Sequence, residues 1–266
     1  MQNVNIFSNL DSFRRYLDAG TVNGIFQKAK KQSETGKIDF CGTETWTEAN
    51  DLMRDGDSKS AALMKSAGGI KASAGEGTKT RRYSAVCGGA ANVPAMLMGL
   101  PKSMIAQKKI VYKNSKVLNI CYNLTVDYSV KREDIIRASA ALAGAVMGLE
   151  KRGYRVNLYV CCASEEGRDI CAFFVKIKDS GQYIDPKKLA YPLVNPSMLR
   201  RHYFRYVEIA PGLSDSRWPL GYGHLLRSKN DLQKLASGSG LNLKDIICLD
   251  DIKNMNPEKI AEFLAN

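Results

Sequence analysis

Histidine is nearly missing, with two residues in 266: His202 in RRHYFRY and His224 in GYGHLL. Neither stands at a recognisable spacing from a cysteine or serine that could act as a nucleophile, so no triad or dyad is evident in the chain. Cys-x-x-Cys pairs are missing too. The seven cysteines are irregularly placed, with Cys161 and Cys162 adjacent, which suits neither a zinc site nor a disulfide framework. Buried thiols in a reducing compartment are expected instead. The glycine-rich stretches GEGTKT and GGAAN do not form a Walker-type phosphate loop. The carboxylate pairs Glu165-Glu166 and Asp250-Asp251 read as solvated turn charges. Nothing favours catalysis, and the expectation is a non-enzymatic protein with no cofactor.

Long apolar runs are also lacking. The longest, Ala138 to Leu149, is rich in alanine and falls well short of the ~20 residues that cross a bilayer. The opening MQNVNIFSNLDSF has neither the basic leader nor the apolar core of a signal peptide. A cytoplasmic protein with no membrane partner is expected.

What the chain does have is positive charge. It carries a net +12 and a sequence pI near 9.3, which points to polyanionic partners. The charge is local: residues 66–116 hold nine Lys or Arg against the single acid Glu76, and seven glycines. Such glycine content predicts an irregular segment, with room for a hairpin, rather than one long helix.

Before that segment the pattern is helical. Asp11 to Asp18 sets Phe13, Tyr16 and Leu17 on one face, and Thr45 precedes Glu48 at capping-box spacing. Gly56 stops the second helix, and Asp57 or Ser58 caps a short third one. From Lys116 the alternation of Leu118, Ile120, Tyr122, Leu124 and Val126 with polar neighbours predicts a strand. A helix follows from about Lys131 to Arg152, with Gly153 at its left-handed end. Two strands come next, Tyr154–Cys162 and Asp169–Ile177, whose short connection predicts an antiparallel pair. Asp185-Pro186, Asn195-Pro196 and Asn256-Pro257 open later helices, and a last strand is expected over Asp245–Leu249.

The run VLNICYNLTVDYS, the alanine-rich helix ending GLEKRGYRVNLYV and the late strand IICLDD together resemble a von Willebrand factor A domain shortened at its C-terminus. DPKKLAYPLVNPSMLRRHYFRYVE resembles a group of bacteriophage proteins related to that fold. The resemblance covers roughly residues 116–266 and implies an α/β fold: a mostly parallel sheet with helices on both faces, preceded by a smaller helical and irregular basic region at 1–115. It also implies where a cation would sit in a complete domain, after the first strand. Here that loop reads Asp127-Tyr128-Ser129-Val130-Lys131. Asp127 and Ser129 match and Asp250 could supply the distant carboxylate, but Lys131 replaces a serine and would repel a hard cation. No working metal site is expected. Asp127 as a strand-end residue and Ser129 as a helix cap remain the plainer assignment.

Two basic and aromatic clusters are the candidate interface. The first is Lys71, Lys79, Arg81, Arg82 and Tyr83, continued by Lys102, Lys108, Lys109, Tyr112 and Lys113. The second is Arg200, Arg201 and Arg205, interleaved with Tyr203 and Phe204 on one helix. Lysine and arginine neutralise phosphates, and an exposed tyrosine stacks on an unpaired base. The alternatives are a basic loop with no ligand, and core aromatics flanked by solvated arginines. No helix-turn-helix, zinc finger or RNP-type motif is present to read a duplex. The expected function is therefore a single-stranded DNA- or RNA-binding accessory protein, of phage type by the resemblance, acting in viral transcription or replication in the host cytoplasm. A polymerase or other protein is a further expected partner. The competing expectation is a protein-interaction module of the A-domain kind.

Overall fold

A computed structural model describes residues 2–21, 29, 41–67, 80–109, 116–126, 130–211, 222–226 and 228–265, with backbone alone at 80, 81, 108 and 109. The chain runs β1 (Gln2–Phe7), α1 (Leu10–Ala19), α2 (Trp46–Asp55), α3 (Ser58–Ser66), β2 (Thr80–Ala85), β3 (Ala90–Ala91), α4 (Val93–Leu97) and β4 (Met104–Lys109). It continues through β5 (Val117–Asn123), α5 (Arg132–Lys151), β6 (Arg155–Glu166), β7 (Asp169–Lys178), α6 (Pro186–Val194), a π-helix (Met198–Tyr203) and α7 (Phe204–Ile209). It ends with β8 (His224–Leu225), α8 (Lys229–Gly238), β9 (Asp245–Ile247), α9 (Leu249–Ile252) and α10 (Pro257–Ala265). Two compact units result: Met1–Lys71 with Lys116–Asn266, and Ala72–Ser115.

Local chemistry sets most helix ends in the larger unit. A helix start leaves backbone N–H groups without partners, and a short side-chain oxygen satisfies one of them. Thr45 accepts from the Glu48 amide at 3.0 Å, Asp57 from Ser60 at 2.9 Å and Asp185 from Lys187 at 3.0 Å. Asn9 does the same for α1, accepting from Ser12 at 2.7 Å. Gly56 ends α2 at φ 96 and Gly153 follows α5 at φ 94, a region L side chains avoid.

The fold is mixed α/β around a mostly parallel sheet of order β1-β7-β6-β5-β9, with β8 beside β6. β5 pairs in parallel with β6 and with β9, and β1 with β7, whereas β6 and β7 are antiparallel as their short connection predicts. Alternate strand residues serve opposite faces. Ile120, Leu158, Val160 and Phe173 join one core cluster with α1, α5, α6, α7 and α10. Cys121, Tyr159, Cys161 and Phe174 join another with Leu232, Leu235 and Ala236 of α8. Burial on both faces explains why NLYVCCAS and CAFFV read as nearly unbroken apolar runs. Small residues let α5 pack closely: a Cβ added at Gly148 would meet Ala261 of α10 at 4.0 Å. The seven cysteines form no disulfide, and Cys41, Cys121, Cys161, Cys162 and Cys171 are buried.

The division expected at residue 115/116 is redrawn. Residues 1–71 do not belong with the basic segment; they complete the sheet and core built by residues 116–266. β1 pairs along β7 from Gln2 opposite Ile170 to Phe7 opposite Val175, so the strand covers an edge that would otherwise present unpaired backbone groups. Phe13 of α1 is fully buried with its ring 4.5 Å from that of Phe173. Among the described residues, no helix is long and apolar enough to cross a membrane.

Candidate nucleic-acid interface

The basic segment folds as a small antiparallel sheet of order β2-β4-β3. β2 is TRRYSA and β4 is MIAQKK, and their register sets Arg81 opposite Lys108, Arg82 opposite Gln107 and Tyr83 opposite Ala106. Cationic residue types placed directly across an antiparallel ladder disfavour each other unless an anion lies between or beside them. Val86 to Gly89 links β2 to β3. Gly88 sits so close to β4 that a Cβ there would meet the Ile105 carbonyl oxygen at 2.3 Å, so only glycine fits without moving the ladder. Asn92 then caps α4, accepting from Ala95 at 3.4 Å.

This unit has little core of its own. Ala95 is its one buried residue among those described. Tyr83 is 47% exposed, and Arg82, Lys102 and Gln107 are exposed as well. Among the described residues, neither Arg82 nor Lys102 makes an ion pair with a carboxylate. Residues 72–115 contain seven Lys or Arg and the single acid Glu76, so the unit's charge has almost no internal counterweight. Lys71, Lys79, Tyr112 and Lys113 lie outside the described residues, and Arg81, Lys108 and Lys109 are placed by backbone register alone. The structure thus brings Arg82 and Tyr83 onto one exposed strand beside the lysine-bearing β4, with Lys102 on the approach to β4.

A second feature of this unit was missed in the sequence. Val93, Met96, Leu97, Met98 and Leu100 are all more than half exposed, Leu97 at 83%. They form one apolar run in and after α4. The signal was available in PAMLMGLP, an apolar stretch held between two prolines with no periodicity that would bury it.

The second basic cluster is corrected. Arg201 is fully buried and Arg205 is nearly so, and neither can reach a phosphate. The Arg201 guanidinium donates to the Thr43 hydroxyl at 2.8 Å and to the carbonyls of Thr43 at 2.9 Å and Glu44 at 3.1 Å. Arg205 donates to the Gly20 carbonyl at 2.7 Å and lies 3.5 Å from the Glu208 carboxylate. Both arginines tie the N-terminal region to the helix that carries them. Tyr203 is buried and bonded to Ser164 and to the Cys171 carbonyl, and Phe204 stacks on Tyr222 at 3.7 Å. Arg200 is half-buried, its guanidinium 5.9 Å over the Phe204 ring. The aromatic residues are core, as one of the two alternatives had it, but Arg201 and Arg205 are not solvated. That helix begins as a π-helix, a geometry that widens the backbone turn.

Of the degenerate metal candidates, Asp127 and Ser129 lie outside the described residues. Asp250 is 82% exposed and pairs with Lys253 at 2.8 Å, and Asp251 is engaged by Lys229 at 2.6 Å and by the Cys248 amide at 2.7 Å. No group of three His, Cys, Asp or Glu residues suited to a metal occurs among the described residues.

His202 is buried between Tyr191, 2.8 Å from Nδ1, and Asn50, 3.1 Å from Nε2. Burial, helped by the Arg201 charge, lowers its pKa to about 3. Its unfolded-state value is near 6.5, so below that pH the unfolded chain takes up a proton that the folded chain refuses. Stability from this group is fully present above pH 6.5 and is lost as pH falls toward 3, by up to about 1.4 kcal/mol per pH unit. Glu208, whose pKa is raised by burial, acts in the opposite sense. Urea unfolding of the parent and of His202→Gln across pH 4 to 7 isolates the histidine, and the variant is expected to give the flatter dependence.

The fold and the exposed basic strands define a mixed α/β protein that carries, in residues 72–115 of its sequence, a separate small basic sheet. The chain belongs to the family described as "Domain of unknown function (DUF7192)", whose model matches residues 2–265. No curated protein and no solved structure matches the chain.

Proposed function

We propose that the chain binds single-stranded nucleic acid through the Ala72–Ser115 unit and works without catalysing a reaction. The observation that carries this reading is a strand exposed on both faces, with Arg82 on one and Tyr83 on the other, beside a second strand ending in Lys108 and Lys109. Guanidinium and ammonium groups replace the counterions of a phosphate backbone, and a tyrosine face accepts an unpaired base. Backbone charge and stacking together favour single strands over duplex, because a paired base offers no open face. A role in phage transcription or replication, in the host cytoplasm, rests on the resemblance of residues 116–266 alone.

The full chain titrated with a fluorescent oligo-dT, the matching RNA and a duplex, from 50 to 200 mM salt, tests the proposal. Single strands are expected to bind more tightly than duplex, with affinity falling linearly in log–log form as salt rises. Affinity indifferent to salt, or no binding at 50 mM, would overturn it.

A second reading is favoured by the run Val93, Met96, Leu97, Met98 and Leu100. Contiguous exposed apolar side chains mark interaction surfaces more often than isolated ones do, and methionines adapt to varied partners. Under this reading the unit docks into an apolar groove rimmed by acids. A pull-down with and without nuclease separates the two: a partner retained after nuclease favours protein docking, and one released favours nucleic acid.

A further inference from the structure

In the Ala72–Ser115 unit, the stretch from Val86 to Pro101 contains no charged residue, with Arg81 and Arg82 before it and Lys102 directly after it. Its second half leaves the small sheet as a closed excursion. Ala91 of β3 pairs with Met104 of β4, and the Asn92 amide donates to the Ser103 carbonyl at 2.8 Å, so residues 93–102 start and finish at one place. Pro94 lies in the first turn of α4, and Gly99, at φ 67, turns the chain back after it.

This knob satisfies its own backbone donors. The amides of Met96, Met98, Gly99 and Leu100 donate to the carbonyls of Asn92, Pro94, Met96 and Ala95 at 2.9 to 3.1 Å. The Ala95 amide donates to the Asn92 side chain at 3.4 Å, and Pro94 and Pro101 carry no N–H at all. A segment enters an apolar medium cheaply only when its backbone groups already have partners. These donors have theirs before anything arrives.

The side chains meet solvent on several sides at once. Met96, Leu97 and Met98 are consecutive and are 63%, 83% and 74% exposed, with Val93 and Leu100 more than half exposed beside them. Consecutive positions on a helical turn point about 100° apart, so the apolar surface wraps the knob instead of forming one stripe. A protein groove takes a stripe, at i, i+3 and i+4. A second copy would bring together two units that each hold seven Lys or Arg and one acid, and such charges repel. Nucleic acid presents phosphates and bases, not hydrocarbon. An anionic bilayer surrounds an inserted knob with acyl chains and sets phosphates opposite the cations that bracket it.

We propose that residues 93–101 insert into the interface of an anionic lipid bilayer, with Met96, Leu97 and Met98 among the outer acyl chains and Lys102 and Arg82 on the headgroup phosphates. Apolar insertion and charge act together, and stable attachment to a membrane surface generally takes two such signals. No spanning helix is required, because the knob rests in one leaflet. The inference goes beyond the nucleic-acid reading and does not rest on it, since that reading makes no use of the apolar knob.

Co-sedimentation of the full chain with sucrose-loaded vesicles tests it, comparing phosphatidylcholine alone with phosphatidylcholine holding about 30% phosphatidylglycerol, at about 150 mM salt. The parent is expected to partition at least about tenfold more strongly to the anionic vesicles. Leu97→Gln/Met98→Gln changes two highly exposed positions without altering charge. It should weaken partition at least about tenfold and leave oligo-dT affinity as in the parent, so the membrane and nucleic-acid roles fail separately. Leu97→Trp should shift its emission to shorter wavelength on anionic vesicles, and brominated lipid should quench it, which contact with headgroups alone would not produce. No partition, equal partition to phosphatidylcholine, a double variant that partitions like the parent, or a Leu97→Trp signal indifferent to brominated lipid would each overturn the proposal. So would a parent that sediments without vesicles while the double variant stays in solution, because the knob would then be meeting a second copy.

Discussion

Arg201→Ala is expected to lower the free energy of unfolding by about 3 kcal/mol or more, since hydrogen bonds from a charged donor are worth about 1.5–3 kcal/mol each and buried acceptors left empty cost about 1–3. The guanidinium is among the largest fully buried groups in the chain, and it is held by the Thr43 hydroxyl and by backbone carbonyls of Ala29, Thr43 and Glu44. Truncation empties these acceptors and leaves a void the size of the side chain. Arg201→Lys should lose nearly as much, because an ammonium keeps the charge but cannot reproduce a planar fork that serves acceptors on two sides. The same change should leave oligonucleotide affinity of the folded protein unaltered. Urea midpoints give the answer: a variant within about 0.5 kcal/mol of the parent would place Arg201 in the surface class and restore it as a candidate for binding anions.

That arginine also shows where the sequence stopped being readable. Within RRHYFRY nothing local separates a solvated arginine from a buried one, because its acceptors lie 157 and 158 residues away at Glu44 and Thr43. β1 was hidden for a related reason. QNVNIF is short and half polar, and it becomes a strand only when the edge of β7 supplies its hydrogen bonds; with β1 unread, residues 1–71 looked detached from the main sheet. Features decided within a few residues were legible. Thr45, Asp57 and Asp185 cap the helices their spacing predicts, and Gly56 and Gly153 sit at positive φ. The β5–α5–β6 unit followed from its periodicity. For the candidate interface, composition located the basic segment, but the register that sets Arg82 and Tyr83 beside β4 is a pairing fact.

Lys79→Ala/Arg81→Ala/Arg82→Ala should weaken binding to oligo-dT by roughly 100-fold at 50 mM salt and by roughly 5-fold at 200 mM, whatever the base sequence. The reasoning is counterion release: each phosphate contact on a single strand contributes a slope of about −0.7 in log affinity against log salt. Three lost contacts flatten the slope by about 2 units, so the penalty shrinks as salt rises. Tyr83→Ala should behave differently, because stacking is worth about 1–3 kcal/mol per base and carries no net charge. It lowers affinity by a similar factor at every salt concentration and leaves the slope intact. The two variants therefore divide the interface into its parts: charge moves the slope and the aromatic ring moves the intercept. If the triple variant kept the parental slope, phosphate would be neutralised elsewhere on the molecule. An exposed basic strand with no acidic partner among the described residues would then need another anion to account for it, and an acidic rim around a groove that receives Leu97 and Met98 is the candidate that the same unit already suggests.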